Sequence, residues 1–279
     1  MKQAMIFAAG LGTRLKPLTD TMPKALVPVA GKPLLQHVIE RLSAIGIERI
    51  VINIHHFGQQ IIDFLDSQHH FGLDIRISDE RQALLDTGGG IKKARPLFDP
   101  SSPILIHNVD ILSDADLDAI YASATPAHGS APAEAILLAS PRKTSRYLLF
   151  SPDRRLIGWQ NITTGELRGP IADQATPLDA SNPPLRLAFS GIHVFSPSLF
   201  PLMDEWPDKF SIIDFYLSVC ASHKILAYPA PDLRLMDVGK LDTLAAADAF
   251  IQSVGCAAAS QRQCPHPEPA PSSHPATPD

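Results

Sequence analysis

Cysteine is scarce in this chain of 279 residues. Cys220, Cys256 and Cys264 form an odd set without CxxC spacing, which argues against a disulfide framework or a zinc knuckle and fits a reducing, cytoplasmic setting. Long hydrophobic runs are missing as well. No stretch approaches the ~18 uninterrupted apolar residues that a bilayer crossing needs, so no membrane partner is expected. The short apolar run after Met1 ends in a glycine-rich basic turn and not in a cleavage site, which speaks against a secretory signal. Nor is there an excess of positive charge. With 24 basic and 29 acidic residues spread along the chain, and a formal net charge of −5, no basic stripe is available to track a nucleic-acid backbone. Internal repeats are also absent.

What is present is enough apolar material for a sizeable core, 45% of all residues. From Met1 to about Ser123, short apolar runs alternate with amphipathic stretches. The strand candidates are Ala4–Ala9, Arg49–Ile54, Leu73–Ser78 and Ile104–His107. Helical spacing falls between them at Leu34–Ile45, Phe57–Ser67, Gly90–Pro96 and Asp114–Ala122, with Pro33 at an opening turn that needs no amide donor. This succession predicts an α/β fold with a doubly wound, mainly parallel mixed sheet. Beyond Pro126 the strand-like pieces Ala135–Ala139, Tyr147–Ser151, Arg154–Trp159 and Leu185–Phe195 predict added β structure and loops covering a ligand pocket. Helical pieces at Pro197–Met203 and Ile212–Ala221, a strand at Ile225–Tyr228 and a last helix at Lys240–Ser253 complete one domain over residues 1–253. Residues 254–279 collapse to Pro, Ser, Ala and His, a composition that cannot offset its own ordering entropy and predicts a disordered tail.

The chemistry concentrates near the start. The first strand runs into Ala9-Gly10-Leu11-Gly12-Thr13-Arg14, where glycines admit backbone angles closed to other residues and let amides approach an anion. Gly-x-Gly alone also opens the dinucleotide fingerprint and occurs in plain turns. Here Arg14 stands where that fingerprint has its third glycine, and the Gly-x4-Gly-Lys-Ser/Thr loop is absent. Arg14, Lys16 and Lys24 supply cations within a few residues of the turn, and prolines at 23, 28 and 33 stiffen the segment that carries Lys24. A second glycine cluster, Asp86-Thr87-Gly88-Gly89-Gly90, precedes a helix. It reads as a surface for a base or ribose, or as a helix-start turn capped by Asp86 or Thr87. Asp110 follows the apolar run Ile104-Leu105-Ile106-His107, at a strand's carboxyl end where open α/β sheets hold ligands; Asp237 sits in a similar place late in the chain. Each is a candidate Mg²⁺ ligand or a turn former. His55 and His56 follow a strand end and read as ordinary turn or core residues, or as neighbours of the site.

Together, Ala8-Ala9-Gly10-Leu11-Gly12-Thr13-Arg14-Leu15-Lys16-Pro17-Leu18-Thr19 and Pro23-Lys24-Ala25-Leu26-Val27-Pro28-Val29-Ala30-Gly31-Lys32-Pro33 resemble the signature of sugar-1-phosphate nucleotidyltransferases. The likeness is to N-acetylmuramate α-1-phosphate uridylyltransferases and to mannose-1-phosphate guanylyltransferase-like proteins, and it runs from Met1 to about Ile251. The resemblance implies a Rossmann-like, GT-A-like fold. It places a nucleoside triphosphate on Ala9, Gly10, Gly12, Thr13 and Arg14, and its nucleoside against Gly88 and Gly89, with Glu80 or Gln82 as alternative readers of the base edge. It makes Arg14 and Lys24 catalytic and Asp110 and Asp237 the ligands of Mg²⁺. The sugar side falls to Asn108 and to Gly191 in the strand Phe189-Ser190-Gly191-Ile192-His193-Val194-Phe195. Two departures stand out. Val109 precedes Asp110 where the family commonly has glycine, and Trp159-Gln160-Asn161 stands near where a Glu-Lys pair is usual, which leaves the sugar open. The implied reaction joins a sugar 1-phosphate, such as N-acetylmuramic acid 1-phosphate, to the nucleotide of UTP with release of pyrophosphate. Guanylyl transfer to mannose or heptose 1-phosphate, cytidylyl transfer to phosphocholine, and a silent regulatory role on the same fold are the alternatives.

Overall fold

The computed structural model describes residues 1–125, 132–172 and 183–261, with 255–261 by backbone alone. Its first part alternates as the apolar runs require: β1 (Gln3–Phe7), a small hairpin of β2 (Pro28–Val29) and β3 (Lys32–Pro33), α1 (Leu34–Ala44), β4 (Arg49–Ile54), α2 (Gly58–Ser67), β5 (Asp74–Asp79), α3 (Asp86–Ala94) and β6 (Ile104–Asn108). The β2–β3 hairpin turns on Ala30 and Gly31, both at positive φ, the geometry that matches the twist of paired strands across a two-residue turn. A short β7 (Ile111–Ser113) and α4 (Leu117–Ala122) follow. The second part supplies β8 (Ala135–Ser140), β9 (Arg146–Phe150), β10 (Leu156–Asn161), β11 (Leu167–Arg168), β12 (Leu185–Phe195), α5 (Ile212–Val219), β13 (Ile225–Pro229), β14 (Leu235–Asp237) and α6 (Leu241–Gln261).

Among the described residues ten strands make one mixed sheet. β5, β4, β1 and β6 run parallel in that spatial order, and β8 and β13 pair parallel beyond them. Between these groups lies β12, antiparallel to both β6 and β8. Its first residues, Leu185 to Leu187, leave that plane to pair with β9, and β9 carries β10 and β11 in an antiparallel extension. The expected added β structure is therefore a continuation of β12 that stands beside the main sheet.

Alternation along the central strands fills two cores. Ala4 and Ile6, Ile50 and Ile52, Leu105, and Ile136 and Leu138 pack on one face with α1, α2, α4 and α6. Met5, Val51, Ile104 and Ile106, and Leu137 pack on the other with α3 and α5. Both faces of each strand are dry, which is why these segments read as continuous apolar runs and not as alternating ones. Two expectations need correction. The helix expected at Gly90–Pro96 begins at Asp86 and takes in the triple glycine. The last helix runs to Gln261, so residues 254–261, assigned to a tail by composition, are helical backbone; residues 262–279 lie outside the described residues.

Candidate active site

The carboxyl ends of β1, β4 and β6 open onto a cavity of about 530 Å³, where the connections of a doubly wound sheet diverge and leave room for a ligand. The turn after β1 forms one wall. Asn53, at the end of β4, fixes its start: the side-chain oxygen accepts from the amides of Ala8 at 2.7 Å and Ala9 at 3.3 Å. The Asn53 amide in turn donates to Glu80 Oε1 at 2.8 Å, and Glu80 Oε2 accepts from the Leu85 amide at 3.3 Å. Burial raises the Glu80 carboxyl above its ordinary value. Glu80 thus lines the cavity as a brace, with both oxygens engaged by protein. Gln82 is exposed and outside the lining. His55 donates from Nδ1 to Glu80 O at 2.7 Å and is a structural turn residue.

The two loop glycines do different work. Gly12 sits at φ 63°, and a Cβ there would lie 2.8 Å from Thr19 Cγ2 and 3.1 Å from Lys24 Cβ, so both angle and space demand glycine. The Gly12 carbonyl accepts from the Thr19 hydroxyl and the Leu15 amide, each at 2.8 Å. Gly10 has no positive φ. It lines the cavity, and a Cβ there meets no protein atom within 4 Å. The expectation that unusual backbone angles explain both glycines is corrected at Gly10, whose missing side chain leaves the cavity open.

The cations and acids meet at the mouth of this turn. Pro23 leads a 3-10 turn that carries Lys24 into the cavity wall, 8% exposed, where its ammonium pairs with the Asp110 carboxylate. β7 and β14 pair antiparallel, with Ile111 opposite Asp237, and the Val238 amide donates to Asp110 O at 2.8 Å. This pairing joins acids far apart in sequence. Loss of hydration, and after it the neighbouring Asp110 carboxylate, raise the Asp237 carboxyl above its ordinary value, while Lys24, Arg14 and Arg142 oppose the rise. Gly239 marks where Arg14 and Asp237 converge: a Cβ there would lie 2.7 Å from Asp237 Oδ1 and 3.1 Å from Arg14 Nη2. Arg14, Lys24, Asp110 and Asp237 are thus brought together. Val109 packs in the core at 4% exposure while its amide donates to Phe7 O at 3.2 Å, so no glycine is needed before Asp110.

Other residues are placed differently. Gly88 and Gly89 do not line the cavity. A Cβ on Gly88 would lie 2.3 Å from the Phe210 ring, one on Gly89 1.9 Å from Asp208 O, and both amides donate to Phe210 O. These glycines exist so that α3 can pack against residues 208–210, and the lining at this point comes from Asp86 and Thr87. Asn108 lines the cavity. Gly191, at φ 78°, lies behind it: a Cβ would be 2.6 Å from Asn108 Nδ2, so the glycine makes room for Asn108 and not for a ring. Asn53 and Lys209, both cavity-lining, escape the sequence reading, and Thr87, read there as a possible helix cap, lines the cavity as well. The Lys24-to-Gly12 spacing signals part of this wall, but no local pattern marks Lys209, which arrives from a distant segment.

Residues 3–154 match the family described as nucleotidyl transferase. An N-acetylmuramate α-1-phosphate uridylyltransferase of Caulobacter vibrioides is 32% identical over 258 residues, covering 89% of this chain and 96% of the relative. One of the same description from Neisseria meningitidis is 46% identical over 131 residues, 46% of this chain and 56% of the relative. Among solved structures, a UDP-glucose pyrophosphorylase from Acinetobacter baumanii superposes with a TM-score of 0.66 at 16% identity, covering 94% of this chain and 98% of the other, a likeness of fold. Among the described residues no helix is long and apolar enough to cross a membrane.

Proposed function

The chain belongs to the nucleotidyl transferase family, and from that premise we propose that it transfers uridylyl from UTP to N-acetylmuramic acid 1-phosphate, in the cytoplasm, as a step that returns a cell-wall sugar to nucleotide-activated form. The observation that carries the reading is the meeting of Arg14, Lys24, Asp110 and Asp237 at one mouth of the turn after β1. The two uridylyltransferase relatives favour this acceptor and this base over guanylyl transfer.

The reaction needs alignment and charge neutralisation more than covalent help from the protein. An oxygen of the sugar 1-phosphate attacks the α-phosphorus of UTP, the new O–P bond forms as the bond to the β-phosphate oxygen breaks, and pyrophosphate leaves with that electron pair. The amides that follow Ala9, from Gly10 to Thr13, and the Arg14 guanidinium hold the β- and γ-phosphates. Lys24 faces the α-phosphate, where negative charge accumulates in the transition state. Asp110 and Asp237 fit a hard divalent cation such as Mg²⁺, because two facing carboxylates offer oxygen ligands and repel each other without one. Among the described residues no group of three or more His, Cys, Asp or Glu gathers, so phosphate and water would complete the shell. Bound there, the ion would neutralise charge on the phosphates.

The test is pyrophosphate release over a panel of UTP, GTP, CTP and dTTP against N-acetylmuramic acid, N-acetylglucosamine, glucose and mannose 1-phosphates, with Mg²⁺. UTP with the muramic acid substrate is expected to give the highest kcat/KM. A best rate with GTP and mannose 1-phosphate would replace this reading with its guanylyl alternative, and release from no pair would remove it.

A further inference from the structure

Beside the main cavity lies a second cleft of about 600 Å³ that the loop chemistry does not use. It begins where the first ends: Lys209 lines the cavity, Ser211 and Ile213 line the cleft, and between them the Ile212 amide donates to Oγ1 of Thr87, a cavity residue, at 2.9 Å. The floor is one face of the antiparallel extension. Arg146 stands opposite Asn161 and Leu148 opposite Trp159, and Trp159 is also opposite Arg168. Because side chains alternate across a strand, these positions share a face.

Three guanidinium groups line this cleft and their commitments differ. Arg168 is paired: its Nη1 donates to Asp214 Oδ1 at 2.6 Å, its Nε makes no hydrogen bond but lies 3.5 Å from Glu166 Oε1, and its guanidinium covers the Trp159 ring at 3.9 Å from the centroid. Arg142 is anchored by a 2.8 Å hydrogen bond from Nη2 to Phe189 O, and its charge acts on Asp237. Arg146 has no acidic partner among the described residues, though Glu166 lines the same cleft and is engaged by Arg168. An Arg fork offers two parallel donors, the geometry that a planar carboxylate accepts best.

Building on the acceptor reading above, we propose that this cleft receives a carboxylate-bearing substituent of the sugar and that Arg146 is the residue that selects it. With the sugar phosphate at Lys24 and the paired acids, the ring extends past Phe189 towards β9 and β10. Thr144 and Asn161 meet its hydroxyl or amide groups, and the acid arm ends on the Arg146 guanidinium. N-acetylmuramate is such a sugar: it is N-acetylglucosamine with a carboxylate carried on an ether. Arg146 is thus a specificity residue outside the phosphate chemistry.

The experiment compares N-acetylmuramic acid 1-phosphate with N-acetylglucosamine 1-phosphate, the same ring without the acid arm, using full-length protein, UTP and Mg²⁺. Wild-type enzyme is expected to favour the acidic acceptor in kcat/KM by about 10- to 100-fold, the range a charge-assisted hydrogen bond supplies. Arg146→Ala should remove that preference through KM for the acidic acceptor while leaving kcat/KM for N-acetylglucosamine 1-phosphate unchanged, and Arg146→Lys should restore part of it. If the alanine variant lowers both acceptors equally, or wild type prefers the neutral sugar, the inference is overturned while uridylyl transfer stands. If neither sugar releases pyrophosphate, both this inference and the acceptor reading fall.

Discussion

The two sides of the site are built differently. The side proposed for the triphosphate is a stretch of contiguous chain, Ala8 to Arg14 with Lys24 close behind, and what it offers a ligand is backbone, two glycines and cations. The side proposed for the acceptor is assembled from side chains on β9, β10, β11, β12, the start of α5 and the segment before β9. A cradle of amides recognises phosphate, which every nucleotide has; side chains on separate strands can be exchanged one at a time. The first construction suits the constant part of the reaction, and the second suits the part that distinguishes one sugar from another.

The largest test strikes the seam where the two sides meet. Lys24→Ala removes the cation that faces Asp110, and Asp110→Ala removes its partner. Either is expected to lower kcat for pyrophosphate release by about 100- to 1,000-fold, the scale of losing one preorganised charge at a phosphoryl centre. Circular dichroism should still report a folded chain. Near-wild-type turnover would detach the residue from the chemistry and leave the triphosphate side as a binding loop alone.

A smaller effect separates glycine that serves packing from glycine that serves ligand. Gly89→Ala puts a Cβ 1.9 Å from Asp208 O, and α3 must shift away from residues 208–210, at a cost of about 1–3 kcal/mol in urea denaturation. A Gly89→Ala protein of unaltered stability with a raised KM for UTP would return the triple glycine to the nucleotide. Smaller again is the contrast inside the loop. Gly12→Ala forces a side chain to φ 63° against Thr19, costing about 1–2 kcal/mol of stability. Gly10→Ala meets no protein atom within 4 Å, so melting should not change while KM for UTP rises. If both variants lose only stability, the turn is structural and the distinction between them disappears.

This contrast also explains how far the sequence could be read. β4 and β12 are found at the residues their patterns predict; β4 is buried along nearly its whole length, and β12 from Leu187 onward apart from the half-buried Phe189. The turn after β1 was legible because its glycines and cations are adjacent in the chain. Asp110 and Asp237 were visible as strand-end acids, yet only the β7–β14 pairing joins them. Gly88 and Gly89 show no local cause, because the ring of Phe210 and the carbonyl of Asp208 lie more than a hundred residues away. The Asn53–Glu80 brace and the arginine cleft, though closer in sequence, also form only when strands pair, β4 with β5 and β9 with β10 and β11. Local patterns report local causes, and the acceptor side has few of those.

The smallest predicted effect concerns two buried histidines on the paired strands β6 and β12. His107, in β6, donates from Nδ1 to Asn108 O at 2.8 Å and leaves Nε2 without a partner. His193, in β12, has no partner for either ring nitrogen among the described residues and packs against Tyr216 and Phe189. Burial pushes both down to about 3. An unfolded histidine protonates near 6.5, so each contributes its full stability above that value and loses it as pH falls towards 3, by about 1.4 kcal/mol per pH unit once well below 6.5. His193→Leu removes one such group and no hydrogen bond. Wild type and variant should therefore have similar urea midpoints at pH 7.5, and the variant should gain on wild type by about 1.4 kcal/mol at pH 5.5. Parallel stability curves over that interval would mean that the ring of His193 finds a proton acceptor in solution, and that the β12 side of the core is wetter than its packing implies.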